Sequence, residues 1–279
     1  MDKLKFVLKI WTQLATHIRM RDRMVKFLQY GCQMLLGFYS AKFSKQLIET
    51  LSLTRRTAST SRKAFWLFKS LNHIGDFIGM VETYSFAADE GYVAFIEMLE
   101  TLALIVYYWY ENLVFACRTK MVGFTEKDVD SWGNMSWFLE DFFCLLSSIV
   151  RTTLNLRKLR DKQNSLEALT ASDDEAAPKS GDTSVYSMHR RVKNDLQREL
   201  FLLKRQFWDS VISLIISVLE VGASAEAIDL FRIVFGTAIG DAGMGLFGVC
   251  SSSVILVNFV RLAVRKETEQ QQTPLVTSG

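Results

Sequence analysis

Residue types that often perform chemistry are present in the chain, but their spacing does not fit a catalytic or nucleotide-binding site. The segment Gly243-Met244-Gly245-Leu246-Phe247-Gly248 matches the G-x-G-x-x-G pattern, yet only 31 residues follow it and no β-α-β pattern precedes it. A dinucleotide-binding sheet needs both features. None of His17, His73 and His189 is near a cysteine or a paired carboxylate, and no H-E-x-x-H, G-x-S-x-G or P-loop motif occurs. We therefore predict that the chain is not an enzyme and uses no cofactor.

The four cysteines give no sign of a metal site or a disulfide framework. They are Cys32, Cys117, Cys144 and Cys250. They are far apart and form no C-x-x-C pair, which indicates a reducing compartment. We predict that no metal is bound.

Three acidic residues in apolar sequence are considered for a functional role. Asp241 is the one charged residue in a 28-residue apolar run, and an ionisable residue inside a membrane is a functional candidate by default. It would equally fit a helix end between Gly240 and Gly243. Glu140 and Asp141 form either a buried pair or the solvent-facing side of a helix.

Composition indicates helices as the elements that position these residues. The 279 residues include only two prolines, whereas a sandwich or barrel of this length would use many more Pro and Gly turns. A mean hydropathy of +0.12 is high for a chain with 23% charged residues. The combination is typical of a membrane-associated protein, or of a soluble one with an apolar C-terminal third.

The net charge of +3 hides a strong segregation along the chain. Residues 1–75 contain 14 Lys and Arg against 3 Asp and Glu, whereas residues 76–149 contain 3 against 12. The basic N-terminal third therefore needs an anionic partner, which is lipid head groups, nucleic acid or the chain's own acidic middle. No nucleic-acid recognition motif is present, and the cations alternate with a strong apolar face, so we expect no nucleic-acid partner.

Apolar periodicity predicts three N-terminal helices: over the first 20 residues, from about Asp22 to Tyr39, and after the hydroxyl-rich run 54–61, which would supply N-caps. The third helix carries apolar residues on one side and Arg62 and Lys69 on the other. A helix of this design lies on a lipid surface, with its apolar side chains in the acyl boundary and its cations on anionic head groups. The alternative is a helix that packs its apolar stripe on neighbouring helices.

Two stretches are candidates for crossing a membrane. Residues 233–260 carry a single charge, and Arg261 and Arg265 follow them, which places the C-terminus in the cytosol. Residues 93–117 are interrupted by glutamates and suit a second span, an interfacial position or a protein core. Residues 207–223 are shorter, and we expect an interfacial or core helix there.

Glycines cluster in the C-terminal candidate span. Gly236 and Gly240 form a G-x-x-x-G pair, and Gly243 and Gly248 add two more small positions. We predict that these four residues let helices approach closely and associate.

The chain divides into six predicted regions. They are a basic amphipathic region (1–80), an acidic and aromatic helical region (81–164), a disordered linker (165–188), a helical region (189–232), a transmembrane helix (233–260) and a cytosolic tail (261–279).

Two blocks of sequence resemble the peroxisomal membrane protein 11 (peroxin-11) family. The block Arg21-Asp22-Arg23-Met24-Val25-Lys26-Phe27-Leu28-Gln29-Tyr30-Gly31 resembles a conserved N-terminal block of that family. The block Ser61-Arg62-Lys63-Ala64-Phe65-Trp66-Leu67-Phe68-Lys69 resembles the stretch that opens the family's amphipathic helix. The glycine-rich segment 241–253 is similar in composition to its C-terminal membrane segment, and order and spacing agree over most of the chain.

The resemblance implies an all-α membrane protein, with N-terminal amphipathic helices and one or two transmembrane helices, that elongates and divides peroxisomes or a specialised form such as glycosomes. It implies that a helix inserts into the cytosolic leaflet of an anionic membrane, that both termini are cytosolic, and that the protein self-associates and works with a fission adaptor and a dynamin-related GTPase. The membrane-inserting residues it implies are Phe65, Leu67, Phe68, Leu71 and Ile74. The head-group-binding residues are Arg55, Arg56, Arg62, Lys63 and Lys69.

Two other classes of function remain open at this point. A channel or transporter for small metabolites would use Asp241 and the Glu97 and Glu100 pair as its polar groups inside the membrane. A soluble helical scaffold would bury the C-terminal apolar residues as a hairpin.

Overall fold

The computed structural model describes residues 18–84, 91–176 and 183–272, and over these ranges the chain forms helices and short connections without any strand. Most of the predicted first helix and the residues beyond 272 lie outside the described residues. The helices are α1 (Ile18–Tyr39), α2 (Lys45–Phe65), α3 (Lys69–Thr83), α4 (Gly91–Arg118), α5 (Glu126–Ala176), α6 (Thr183–Ala227), α7 (Leu230–Phe235) and α8 (Gly240–Gln272). The prediction of an all-α protein is confirmed.

Helix α2 passes straight through the hydroxyl-rich run 54–61, so the predicted helix start in this run is wrong. The N-cap is Ser44, whose Oγ accepts the Leu47 N–H at 3.3 Å. The hydroxyls of Thr54 and Thr60 donate to carbonyls four residues earlier, at 2.8 and 3.0 Å. Because these side chains are satisfied inside the helix, they do not cap a new one.

The break comes instead at residues 66–68, inside the predicted amphipathic helix. Trp66 ends α2, and Phe68 adopts a left-handed conformation with φ of 59° before α3 begins at Lys69. A bulky residue rarely adopts positive φ, so the surrounding contacts must hold this turn. The predicted single helix is therefore two helices joined at a corner, which we call the α2–α3 corner (residues 66–68).

Three helices among the described residues are long and apolar enough to cross a membrane. They are Gly91–Arg118, Arg191–Ala227 and Gly240–Arg265. The first contains the predicted span 93–117. The second contains residues 207–223, for which an interfacial or core helix was the expectation. These residues belong to a helix of 37 residues that contains a window apolar enough to cross a membrane.

The predicted span 233–260 is interrupted. Gly236 ends α7 with φ of 75°, and Gly240 starts α8 with φ of 67°. Both values lie in the left-handed region, where only glycine is unstrained, so the helix cannot continue through these positions. Asp241 consequently lies in the first turn of α8. Of the two positions considered for this residue, it therefore occupies the one at a helix end.

The chain forms two compact units. The first combines Met1–Cys144 with Ile216–Gly279; in it, α1 packs on α8 and on α2, while α4 packs on α2 and α3. The second is Leu145–Ile215, in which an ion pair joins Lys162 to Glu199 at 2.6 Å.

The predicted linker 165–188 is helical wherever it is described, since α5 extends to Ala176 and α6 begins at Thr183. Residues 177–182 lie outside the described residues. Leucine, alanine and glutamate are frequent in 165–176, and these residues favour helix. The local composition therefore outweighs the acidic, polar character that suggested disorder.

Candidate functional site: an exposed apolar face and a charged interior

Helix α3 and the corner before it carry a row of exposed apolar side chains. The row consists of Phe68, Leu71, Ile74, Ile78 and Val81, with exposed fractions of 70%, 62%, 40%, 52% and 49%. Their spacing of three and four residues puts them on one side of a helix. The one residue of α3 that is fully buried is Ser70. We call this row the α3 apolar face.

The five residues predicted to insert into a membrane do not all lie on this face. Phe68, Leu71 and Ile74 belong to it, and Leu67 is 36% exposed in the corner. Phe65 is the last residue of α2 and is half-buried, with the Arg21 guanidinium 5.9 Å from its ring centroid. Ile78 and Val81 belong to the exposed row but were not among the predicted inserting residues, although their helical spacing would have supported including them. Insertion itself stays a prediction.

Lys69 is held at the corner by aromatic rings. Its ammonium lies 3.9 Å from the Trp66 ring centroid and 4.4 Å from that of Tyr108, and it donates to the Tyr108 hydroxyl at 2.6 Å. The His73 ring stacks on Tyr108 at 5.4 Å. Burial and nearby Arg19 lower the pKa of Lys69 to about 8. These contacts fix the corner by cation–π attraction in addition to packing.

The other four predicted head-group cations make ion pairs with the chain's own acids. The pairs are Arg55 with Asp241 at 3.3 Å, Arg56 with Glu126 at 3.6 Å, Arg62 with Asp22 at 3.0 Å, and Lys63 with Glu111 at 2.5 Å. Lys63 is 8% exposed, whereas the side chain of Arg56 is 69% exposed. Part of the basic N-terminal third thus neutralises acidic residues within the same unit. Lipid binding by the five cations stays a prediction.

The most buried ion pair joins two residues that the sequence analysis did not select. Lys26 on α1 donates to Glu220 on α6, and the two residues are 3% and 8% exposed. Glu220 also accepts from the Ser251 hydroxyl at 2.8 Å and from Arg23 at 3.4 Å. A signal was available, because Glu220 is the one charged residue in the apolar run 210–225. Its partner, 194 residues away, had no local signal.

These charged residues surround a large cavity in the first unit. Its volume is about 1680 Å³, and both cationic and acidic side chains line it, among them Arg62, Lys69, Glu111, Glu140 and Glu220. Burial, together with the Glu220 and Glu100 carboxylates, raises the pKa of Glu140 to about 7. Burial and neighbouring Glu140 likewise raise the pKa of Asp141 well above its ordinary value. Asp141 is 5% exposed and Glu140 is half-buried, so these two residues fit the alternative of a buried pair better than that of a solvent-facing side of a helix.

The four glycines predicted to pack helices have different environments. A Cβ on Gly248 would collide with the Tyr30 ring of α1, and a Cβ on Gly243 would lie 2.8 Å from the Ile239 side chain. Gly236 and Gly240 have open space around them and serve the turn. Sequence reasoning missed Gly245, whose added Cβ would collide with the Met34 backbone.

The sequence family is decided by a match over most of the chain. The family model for peroxisomal biogenesis factor 11 (PEX11) matches residues 8–258. The chain belongs to the PEX11 family. No curated protein and no solved structure matches it.

Membership of the PEX11 family makes this chain a peroxisome biogenesis factor associated with the peroxisomal membrane. The two sequence blocks that resembled the family lie inside the matched range, so the identification made from them is confirmed. PEX11 is not a known enzyme family. Among the described residues of this PEX11 chain, no group of three or more His, Cys, Asp or Glu could hold a metal ion.

Proposed function

We propose that this PEX11 chain remodels the peroxisomal membrane by inserting the α3 apolar face into one leaflet, and that it thereby elongates the membrane before division. The observation that carries the proposal is the exposure of this face. Five large apolar side chains in one row are 40–70% exposed, and a contiguous exposed apolar surface marks a site of contact with protein or membrane. Insertion of these side chains expands one leaflet relative to the other, and the bilayer therefore bends.

The position of the α2–α3 corner supports insertion into the cytosolic leaflet. Arg62, near the end of α2, pairs with Asp22 at the start of α1, and nearby Met20 packs on Phe259 and Val264. The corner therefore lies close to the part of α8 that contains the basic residues Arg261 and Arg265. Basic flanks of membrane helices face the cytosol, so a cytosolic α8 end brings the corner to the same leaflet.

The ion pairs of the first unit change the role we assign to the basic residues. Because Arg62 and Lys63 are paired with the chain's own carboxylates, their first role is to hold α2 in place. Arg56, with 69% of its side chain exposed, is the best placed of the five cations to meet an anionic head group. Apolar insertion supplies most of the binding in this mechanism, and anionic lipid adds about 1 kcal/mol for a cation near the surface.

Vesicle remodelling by the full-length chain tests the proposal. The chain is reconstituted into liposomes that contain anionic phospholipid, to which basic residues are attracted, and tubules are counted by electron microscopy. We expect Leu71→Glu to abolish tubules, because it places a charge in the inserted face. The matched control is Leu53→Glu on α2, where the leucine is similarly exposed, at 67% against 62%. Equal tubulation by both variants, or equal loss in both, would contradict a specific role for α3.

Self-association and recruitment of a fission adaptor and a dynamin-related GTPase belong to the same proposal. They would convert an elongated membrane into divided organelles. Crosslinking of the reconstituted chain, followed by sizing in detergent, tests self-association; a monomer at all concentrations would remove that part.

A second candidate function is a channel or transporter for small metabolites. The observation that favours it is the cavity of about 1680 Å³ lined by charged residues, inside a unit that includes α4 and α8. Asp241 lines this cavity, accepts a hydrogen bond from the Gln33 side-chain amide at 2.7 Å and forms an ion pair with Arg55. Flux of a small carboxylate into liposomes, changed by Asp241→Asn, would support this function. Flux equal to that of protein-free liposomes would exclude it.

A further inference from the structure

Helix α1 runs antiparallel to α8 and contacts it from Ala242 to Val264. Near one end, Gly37 lies against Ala242 and Met34 lies against Gly245; at mid-length, the Tyr30 ring lies against Gly248. At the other end, Met20 packs on Leu256, Phe259 and Val264. Helix α8 contains the candidate span Gly240–Arg265. The segment of α1 from residue 20 to residue 37 therefore occupies the same thickness as a helix that can cross a membrane.

The length of α1 fits this thickness. It contains 22 residues, which at 1.5 Å per residue extend about 33 Å, and the hydrocarbon core of a bilayer is about 30 Å thick. Hydropathy alone does not select α1, because charged residues are frequent in its first half.

Three polar residues of α1 point inward, whereas Arg19 and Arg21, near the N-terminal end of the helix, are exposed. Asp22, Lys26 and Gln33 are 3%, 3% and 6% exposed. Each is satisfied by another helix: Asp22 by Arg62, Lys26 by Glu220, and Gln33 by Asp241. A polar group at membrane depth is tolerated when it is paired in this way within the protein.

The apolar residues of α1 point outward. The exposed set is Met24, Phe27, Leu28, Leu35 and Phe38, with exposed fractions of 36–56%. A helix in water buries such residues and exposes its charges, and α1 does the opposite from Asp22 to Phe38. Over residues 24–38 this inverted arrangement removes the objection that hydropathy raises, since the exposed residues of that stretch are apolar side chains and a glycine. The exposed Arg19 and Arg21 lie at the N-terminal end of α1, where a membrane-crossing helix meets the head groups.

We propose that α1 is a membrane-crossing helix that accompanies α8, and that its outward face (Met24, Phe27, Leu28, Leu35 and Phe38) contacts lipid acyl chains. The occupant is lipid, not a second copy of the chain, because α1 follows the candidate span from end to end and acyl chains surround a span over that whole length. The proposal is independent of membrane remodelling by α3, because no residue of α3 contributes to it.

Spin labels in the reconstituted full-length chain test the position of α1. Single cysteines replace Leu28 and Leu35 in a background without the four native cysteines, and collisions with oxygen and with a water-soluble nickel chelate are measured. Val257→Cys on α8, where the side chain is 69% exposed, is the lipid control, and Arg160→Cys on α5 is the water control.

We expect both α1 labels to match Val257→Cys, with high oxygen and low nickel accessibility. Nickel accessibility equal to that of Arg160→Cys would place α1 in water and overturn the proposal. Low accessibility to both reagents would place the face against protein and would also overturn it.

Hydrogen exchange on the unsubstituted chain covers the case in which the cysteine-free background fails to insert. In liposomes, amides 24–38 of α1 should exchange as slowly as amides 246–260 of α8. Exchange of the α1 amides within seconds, while α8 remains protected, would contradict a membrane-crossing α1.

Discussion

The ion pair between Lys26 and Glu220 gives the sharpest test of the interior described above. Replacing Lys26 with methionine keeps an unbranched side chain that is one atom shorter, and removes the charge. Glu220 then stays buried, at 8% exposure, with Ser251 and the more distant Arg23 as its remaining partners. Removing one member of a buried pair costs about 3–5 kcal/mol, because the other charge remains uncompensated. We expect the low end, about 3 kcal/mol, because Arg23 still contributes attraction.

The matched control is the double variant Lys26→Met with Glu220→Gln. Glutamine retains an acceptor for the Ser251 hydroxyl but carries no charge, so the double variant should recover to within about 1 kcal/mol of the original chain. A single substitution that costs more than the pair of substitutions would identify the uncompensated charge as the cause, and not the loss of packing by the lysine stem.

Thermal unfolding in detergent, followed by circular dichroism at the helix band, measures both variants. A loss of about 3 kcal/mol corresponds to a fall in Tm of about 6–12 °C for a large domain. The reasoning is refuted if Lys26→Met unfolds within about 2 °C of the original chain, or if the double variant is as unstable as the single one.

Three further predictions concern packing, backbone and pH. Gly245→Val should lower stability by about 1–3 kcal/mol in chemical denaturation, since its Cβ would meet the Met34 backbone, whereas Gly31→Ala, with open space around it, should be neutral or stabilising. Gly236→Ala should cost about 1 kcal/mol in the same assay, because φ is 75° there; an unchanged midpoint would contradict the need for glycine. The pKa of Glu140 is raised from 4.5 to about 7 by burial and nearby carboxylates, so the unfolded chain releases this proton first and stability falls as pH rises from 4.5 to 7. Glu140→Gln should reduce that fall in Tm between pH 5 and pH 8, although Asp141, whose pKa is also raised, still contributes to it. A variant with the original pH profile would show that Glu140 is not responsible.

The helical class and the membrane character follow from local properties of the sequence. Two prolines and apolar periodicity sufficed for the all-α fold, because helix formation depends on residues three and four positions apart. The span within Gly91–Arg118 was recognised for the same reason. The break at Gly236 and Gly240 was missed because glycine is equally common on the packing faces of membrane helices and in turns, and only the backbone angle distinguishes the two.

The α3 apolar face was partly predictable, because Leu71, Ile74 and Ile78 recur with helical spacing. The corner that starts it was not, since left-handed Phe68 is held by the surrounding tertiary contacts and not by its own preference. The hydroxyl-rich run looked like a helix start for a similar reason. Hydroxyls of Thr54 and Thr60 satisfy either a cap or their own helix, and the sequence does not distinguish these uses.

The sequence by itself determined that this is a helical, membrane-associated member of the PEX11 family with a basic N-terminal third. Only the tertiary structure decided where the charges go. Lys26 pairs with a carboxylate 194 residues away, and Lys63 pairs with one 48 residues away. Such pairs depend on which helices become neighbours, and periodicity along one helix carries no information about the facing helix. The same packing turned α1, a helix of mixed character in sequence, into one with paired charges inside and apolar residues outside.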